Sequence, residues 1–188
     1  MKEIFLALSV VSEIAAYLFY ARAILKKEAR PHRTTRFVLL ILSNLTVLSL
    51  FAQSNSVAIW LAGVYALFSW LLFLLSFKYG MGGWSKTDIL CLVIALFGIV
   101  TWKITNNPAL ALYSAIFADF TGMIPTLIKS YYHPKTEVWY FFFLAGFGAG
   151  LNLLAIHEWT LQQYAFPLYI LLINIVMVSL LLRSKRLI

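Results

Sequence analysis

Two carboxylates sit deep inside apolar runs. Glu13 is about ten residues into a run that opens at Ile4, and Asp119 is about twelve into one that opens at Pro108. At a rise of about 1.5 Å per residue, both fall near the middle of a hydrocarbon layer about 30 Å thick. An acid at that depth is costly, so it is expected to face the interior of a helix bundle or water. Such a pair suits proton coupling or recognition of a cation. The alternative for each is a packing role, with the acid hydrogen-bonded to Ser12, Tyr17 or Thr121.

Amides and aromatics add a second kind of chemistry. Asn174 is the strongly polar residue in the middle of the apolar run 163–183. Its side chain offers two donors and an acceptor, which suits a polar solute, or it binds across helices as glue. Ser69 is the corresponding polar residue in the run 56–77. Asn44 and Asn152 are weaker candidates of the same type. Tyr17, Tyr65 and Trp70 lie at depths where a ring could stack on a flat solute, whereas Trp84, Trp139 and Trp159 lie at run ends and read as interfacial anchors. Pro125 lacks a backbone donor and is expected to act as a hinge beside Asp119. Pro167 in the last run reads the same way. Gly146, Gly148 and Gly150 predict a close helix–helix approach.

These residues need elements that hold them in lipid. Of the 188 residues, 62% are hydrophobic and 12% charged, and the mean hydropathy is +0.87. A soluble domain of this size cannot hide so much apolar surface, which excludes a soluble enzyme, a disordered chain and a disulfide scaffold. A spanning helix takes roughly 17–25 residues. Apolar runs near 4–23, 36–53, 56–77, 88–105, 108–131, 137–156 and 163–183 give seven such spans. Their continuity argues against a barrel, whose strands alternate. The weakest break is Gln53-Ser54-Asn55-Ser56. Asn106-Asn107-Pro108 predicts a turn.

Charge sets the orientation. With seven spans and the N-terminus outside, all 15 lysines and arginines except Lys2 and Lys103 fall on the inner side. That is the cytoplasmic bias, so the C-terminus is inside. The net charge of +8 therefore reads as topology rather than as a nucleic-acid surface. The opening run reads as a span and not as a cleavable leader. Asn44-Leu45-Thr46 fits a glycosylation pattern but falls within a span.

The first and last three spans repeat at an offset of 105. Ser69 falls on Asn174, Lys78 on Arg183, Tyr20 on Pro125, and Glu13 one residue from Asp119. A single linker span between two triplets makes them parallel repeats about an axis along the membrane normal. The expected organisation is an all-α membrane protein with a 3+1+3 arrangement. Its first triple-helix bundle is 1–80, its linker helix 81–106 and its second bundle 107–188.

The stretch Gly122-Met123-Ile124-Pro125-Thr126 resembles the Gly-x-x-Pro-Gln motif of the PQ-loop clan, which includes the SWEET transporters. Thr126 replaces the glutamine, and Tyr20-Ala21 stands where the first Pro-Gln pair would be. The resemblance implies a small-solute transporter working by alternating access, with proton coupling in some members. It also implies a substrate asparagine in the third and seventh helices. Asn174 matches the seventh, while the third offers Ser69. Folds of this type are similar to those of nicotinamide riboside transporters and of KDEL receptors. A vitamin or nucleoside facilitator and a non-transporting receptor therefore stand as alternatives.

Other classes lack their parts. The last span has no lysine for a retinal Schiff base, and no phosphate-binding loop occurs. His32, His133 and His157 fall in loops and form no metal cluster. The single cysteine, Cys91, has no partner for a disulfide. No enzyme activity, cofactor, metal or nucleic acid is expected. The expected partners are a small-molecule substrate and the bilayer, with self-association through span six left open. Short loops without sorting motifs point to a prokaryotic inner membrane.

Overall fold

The computed structural model describes residues 1–29, 31, 33–80, 86–132, 134 and 137–183. Among them the chain forms seven helices and no strand: α1 (Lys2–Leu25), α2 (Arg33–Ala52), α3 (Ala58–Tyr79), α4 (Lys86–Thr105), α5 (Pro108–Tyr132), α6 (Trp139–Ala155) and α7 (Leu161–Arg183). All except α6 are long and apolar enough to cross a membrane. The chain is an all-helical integral membrane protein.

Local chemistry explains where the helices stop. The doubtful break after α2 is a tight loop with Ser54 in the left-handed region at φ 53°. Asn55 then uses its side-chain oxygen to accept from the amides of Val57 (3.2 Å) and Ala58 (2.8 Å). This satisfies amides at the start of α3 that have no partner within the helix. Its Nδ2 donates to the Gln162 carbonyl at 3.1 Å, which ties this loop to the start of α7. Asn106 turns the chain between α4 and α5 at φ 52°. Asn107 accepts from the Ala109 amide at 3.1 Å, and Pro108 occupies the first helical position, where a missing donor costs nothing.

Span six is shorter than its apolar run. Val138 and Ile156 are both extended, so α6 keeps only 17 residues. Ile156 is fully buried, and its carbonyl accepts a 2.9 Å bond from the Lys2 ammonium. The chain leaves the helix there to pack against α1.

The helices pack in a definite order. α3 packs on both α1 and α2, and α7 packs on both α5 and α6. α1 meets α6, and α2 meets α5. α4 lies against α5 and, less extensively, α2; α3 and α7 touch at the centre. The α1–α6 seam is a close one. A Cβ on Gly148 would come within 3.1 Å of the Ser9 carbonyl oxygen, and Ser12 donates to the Leu144 carbonyl at 2.9 Å. A side chain there would press on the α1 backbone, so the glycine favours that approach.

Candidate functional site

Asp119 lies on α5 where α3 and α7 converge, and it is buried. Both of its carboxylate oxygens are engaged. Tyr65 of α3 donates to Oδ1 at 2.9 Å, and Tyr169 of α7 donates to Oδ2. The third and seventh helices thus each contribute one phenol to the same acid. A hydrogen bond to a charged group is worth about 1.5–3 kcal/mol, and here two converge.

Aromatic rings lead away from this clasp. Tyr17 of α1 stacks with Tyr65 at 6.2 Å and with Phe68 at 5.2 Å. Its edge meets Phe141 of α6 at 5.4 Å, and Phe141 packs on Tyr20 at 4.7 Å. The far end is charged. Arg36, near the start of α2, donates through Nη2 to the Tyr20 hydroxyl at 2.8 Å and lies over that ring at 5.0 Å. Tyr65, Tyr169, Phe141 and Arg36 are only half-buried. The result is a chain of packed rings with an acid at one end and a guanidinium at the other.

Glu13 takes a different place. It is buried on α1 against α6, and its Oε2 lies 3.4 Å from the point where Gly148 would carry a Cβ. That oxygen has no hydrogen-bond partner among the described residues, nor does the hydroxyl of Ser9 one turn away. The two acids are not in contact. Tyr17 lies one turn along α1 from Glu13.

The amides are not gathered at the clasp. Asn174 donates to the Ile170 carbonyl of its own helix at 2.8 Å. Its Cβ lies 3.0 Å from where a Gly146 Cβ would stand, so it faces α6. There it lines a groove of about 630 Å³ between α6 and α7, walled by Phe143, Phe147 and Val178. Ser69 is buried one turn from Tyr65 on the same face of α3. Asn44 donates to the Leu40 carbonyl at 2.7 Å within α2. Asn152 is fully buried and donates to the Val57 carbonyl at 3.3 Å, joining α6 to the start of α3. Trp70 is 52% exposed. Pro125 lies in the continuous helix α5, but its side chain falls outside the described ones, as do residues Trp84, His32 and His133.

Sequence reading missed Tyr169, Arg36, Tyr20 and Phe141 as site residues. One signal was present: the repeat offset of 105 carries Tyr65 to Ile170, one residue from Tyr169. Arg36 was absorbed into the topology count, which hid its second use. No three or more His, Cys, Asp or Glu residues group as a metal site among the described residues. Compared with protein-family models, curated proteins and solved structures, the chain matches none.

Proposed function

We propose that this protein is a small-solute membrane transporter that works by alternating access between two three-helix bundles, residues 1–80 and 107–188, linked by 81–106. The packing order supports two like-oriented bundles. A twofold axis along the bilayer normal would exchange α1 with α5, α2 with α6 and α3 with α7. The contacts of α3 with α1 and α2 then become those of α7 with α5 and α6, and the α1–α6 contact becomes α5–α2. The contact between α3 and α7 lies on that axis. The N-terminus is then outside and the C-terminus inside, in keeping with the distribution of lysine and arginine. A prokaryotic inner membrane is the proposed location.

The observation that carries the reading is the double clasp on Asp119. The acid belongs to the second bundle, Tyr169 to the same bundle, and Tyr65 to the first. Rocking one bundle against the other must strain or break the Tyr65 bond while the Tyr169 bond can persist. A ligand or a proton that takes over an Asp119 oxygen biases that motion, since a ligand shifts an equilibrium only by binding its two states unequally. Proton linkage through Asp119, with Glu13 as a second ionisable group, follows from the same arrangement. The deciding experiment is uptake of a labelled solute panel by proteoliposomes holding the purified protein. Flux that saturates and is lost in Asp119→Asn is expected. Ligand binding with no flux would replace this reading with that of a receptor.

A further inference from the structure

We propose that the groove between α6 and α7 binds an elongated apolar alcohol, with the Asn174 amide pairing to its hydroxyl. The inference goes beyond the transport reading and does not depend on it.

The groove has room and opens toward lipid. Its volume is about 630 Å³, within the roughly 300–1,000 Å³ of small-molecule sites. Phe143, Phe147 and Ile175 line it and are about half exposed, at a depth where the surrounding medium is hydrocarbon. Its lining runs along α6 from Phe142 to Leu154, about 18 Å at about 1.5 Å per residue. These walls suit a slender hydrocarbon body. One amide interrupts them. Asn174 is 7% exposed, and its Nδ2 donates to the Ile170 carbonyl of its own helix. Its Oδ1 and its second N–H have no partner among the described residues. An amide left so in hydrocarbon is costly. Asn174 stands near the middle of α7, about 15 Å from the headgroups on either side. A phospholipid held at the surface brings only chain carbons to that depth. A hydroxyl both donates and accepts, so a single oxygen meets Oδ1 and the N–H together. An ether oxygen only accepts and leaves Oδ1 unmet. A sugar fails for the opposite reason. The other hydroxyl in the lining, Ser179, already donates to the Ile175 carbonyl, so most hydroxyls of a sugar would be buried unpaired.

The experiment uses the full chain in phosphatidylcholine nanodiscs and a dodecanol that carries a diazirine on its chain, with crosslinks located by peptide mass spectrometry. Saturable labelling of Phe143, Phe147 and Val178 is expected. Leu96 and Phe97, exposed apolar residues of α4 outside this groove, should be labelled without saturation. Unlabelled dodecanol should displace the probe at least about fivefold better than dodecyl methyl ether, which has no hydrogen to give Oδ1. That contrast is read on the unaltered protein and needs no variant to fold. Asn174→Leu should erase the preference for the alcohol over the ether. Gly150→Leu should weaken probe binding at least about fivefold by filling the groove. A Cβ at Gly150 meets nothing closer than Leu171 Cδ1 at 3.8 Å, so the backbone there accepts a side chain. Labelling of α6 and α7 that saturates no better than that of α4 would mean ordinary annular lipid and overturn the proposal. Equal displacement by alcohol and ether would overturn it as well. So would a Phe147→Cys crosslink between two copies that dodecanol does not disturb, because a second copy would then cover the groove.

Discussion

Asp119 and Glu13 are two acids, each about midway along a long apolar helix, yet they sit in opposite environments. Asp119 has a donor for each oxygen, drawn from two helices. Glu13 is 3% exposed, presses against a glycine and has an oxygen with no donor among the described residues. The first meets the requirement of a buried polar group fully, and the second does not. Two acids that look alike in the sequence therefore do not have like surroundings. The centre of the molecule, where α3, α5 and α7 meet, is built around its acid. The α1–α6 seam is built for close packing and contains its acid at a cost.

The largest effect should come from Asp119→Leu, which leaves two phenols without their acceptor. Each unmet donor costs about 1–3 kcal/mol. A fall in thermal midpoint of several degrees and loss of uptake are expected, from melting curves and proteoliposome flux. Unchanged stability would show that the clasp holds nothing. Next, Gly148→Leu should force α1 from α6 and destabilise the fold by about 1–3 kcal/mol, as overpacking does. Gly148→Ala, with its Cβ 3.1 Å from the Ser9 carbonyl, should cost less in the same melt.

Tyr65→Phe and Tyr169→Phe each delete one donor to Asp119. A loss of about 1.5–3 kcal/mol is expected for each, measured by denaturant titration in detergent. Double-mutant analysis should give a sum that is not additive, since both bonds serve one carboxyl. Glu13→Gln should be milder, within about 1 kcal/mol, because the shape is kept and no existing bond to Oε2 is lost. If Glu13 nonetheless couples protons, pH-driven uptake falls in that variant while exchange survives. A loss as large as that of Asp119→Leu would erase the contrast between the two regions. Trp70→Ala, on an exposed face, should shift the melt least of all, by under about 0.5 kcal/mol.

The spans were legible because lipid imposes a length and a polarity on them. Asn106-Asn107-Pro108 became the turn its residues predicted, and Asn55 gave the doubtful break a physical basis. Facing was much harder to read. α7 is apolar nearly all round, so nothing in its periodicity says which side meets the centre. Asn174 was singled out by polarity alone, yet it turns toward α6, while Tyr169 at the centre looked like one more aromatic. Arg36 shows a related limit. One cation can serve both topology and a site, and a charge count reveals only the first. The length of α6 was overread because Val138 and Ile156 are apolar enough to extend the run but are extended in backbone.

That shorter helix has a consequence for the surrounding membrane. At about 1.5 Å per residue, 17 residues rise about 26 Å, roughly 4 Å less than a hydrocarbon layer of about 30 Å. Acyl chains beside α6 must compress or tilt to meet it, at a fraction of a kcal/mol per Å of mismatch. A thin bilayer accommodates it with less elastic strain than a thick one.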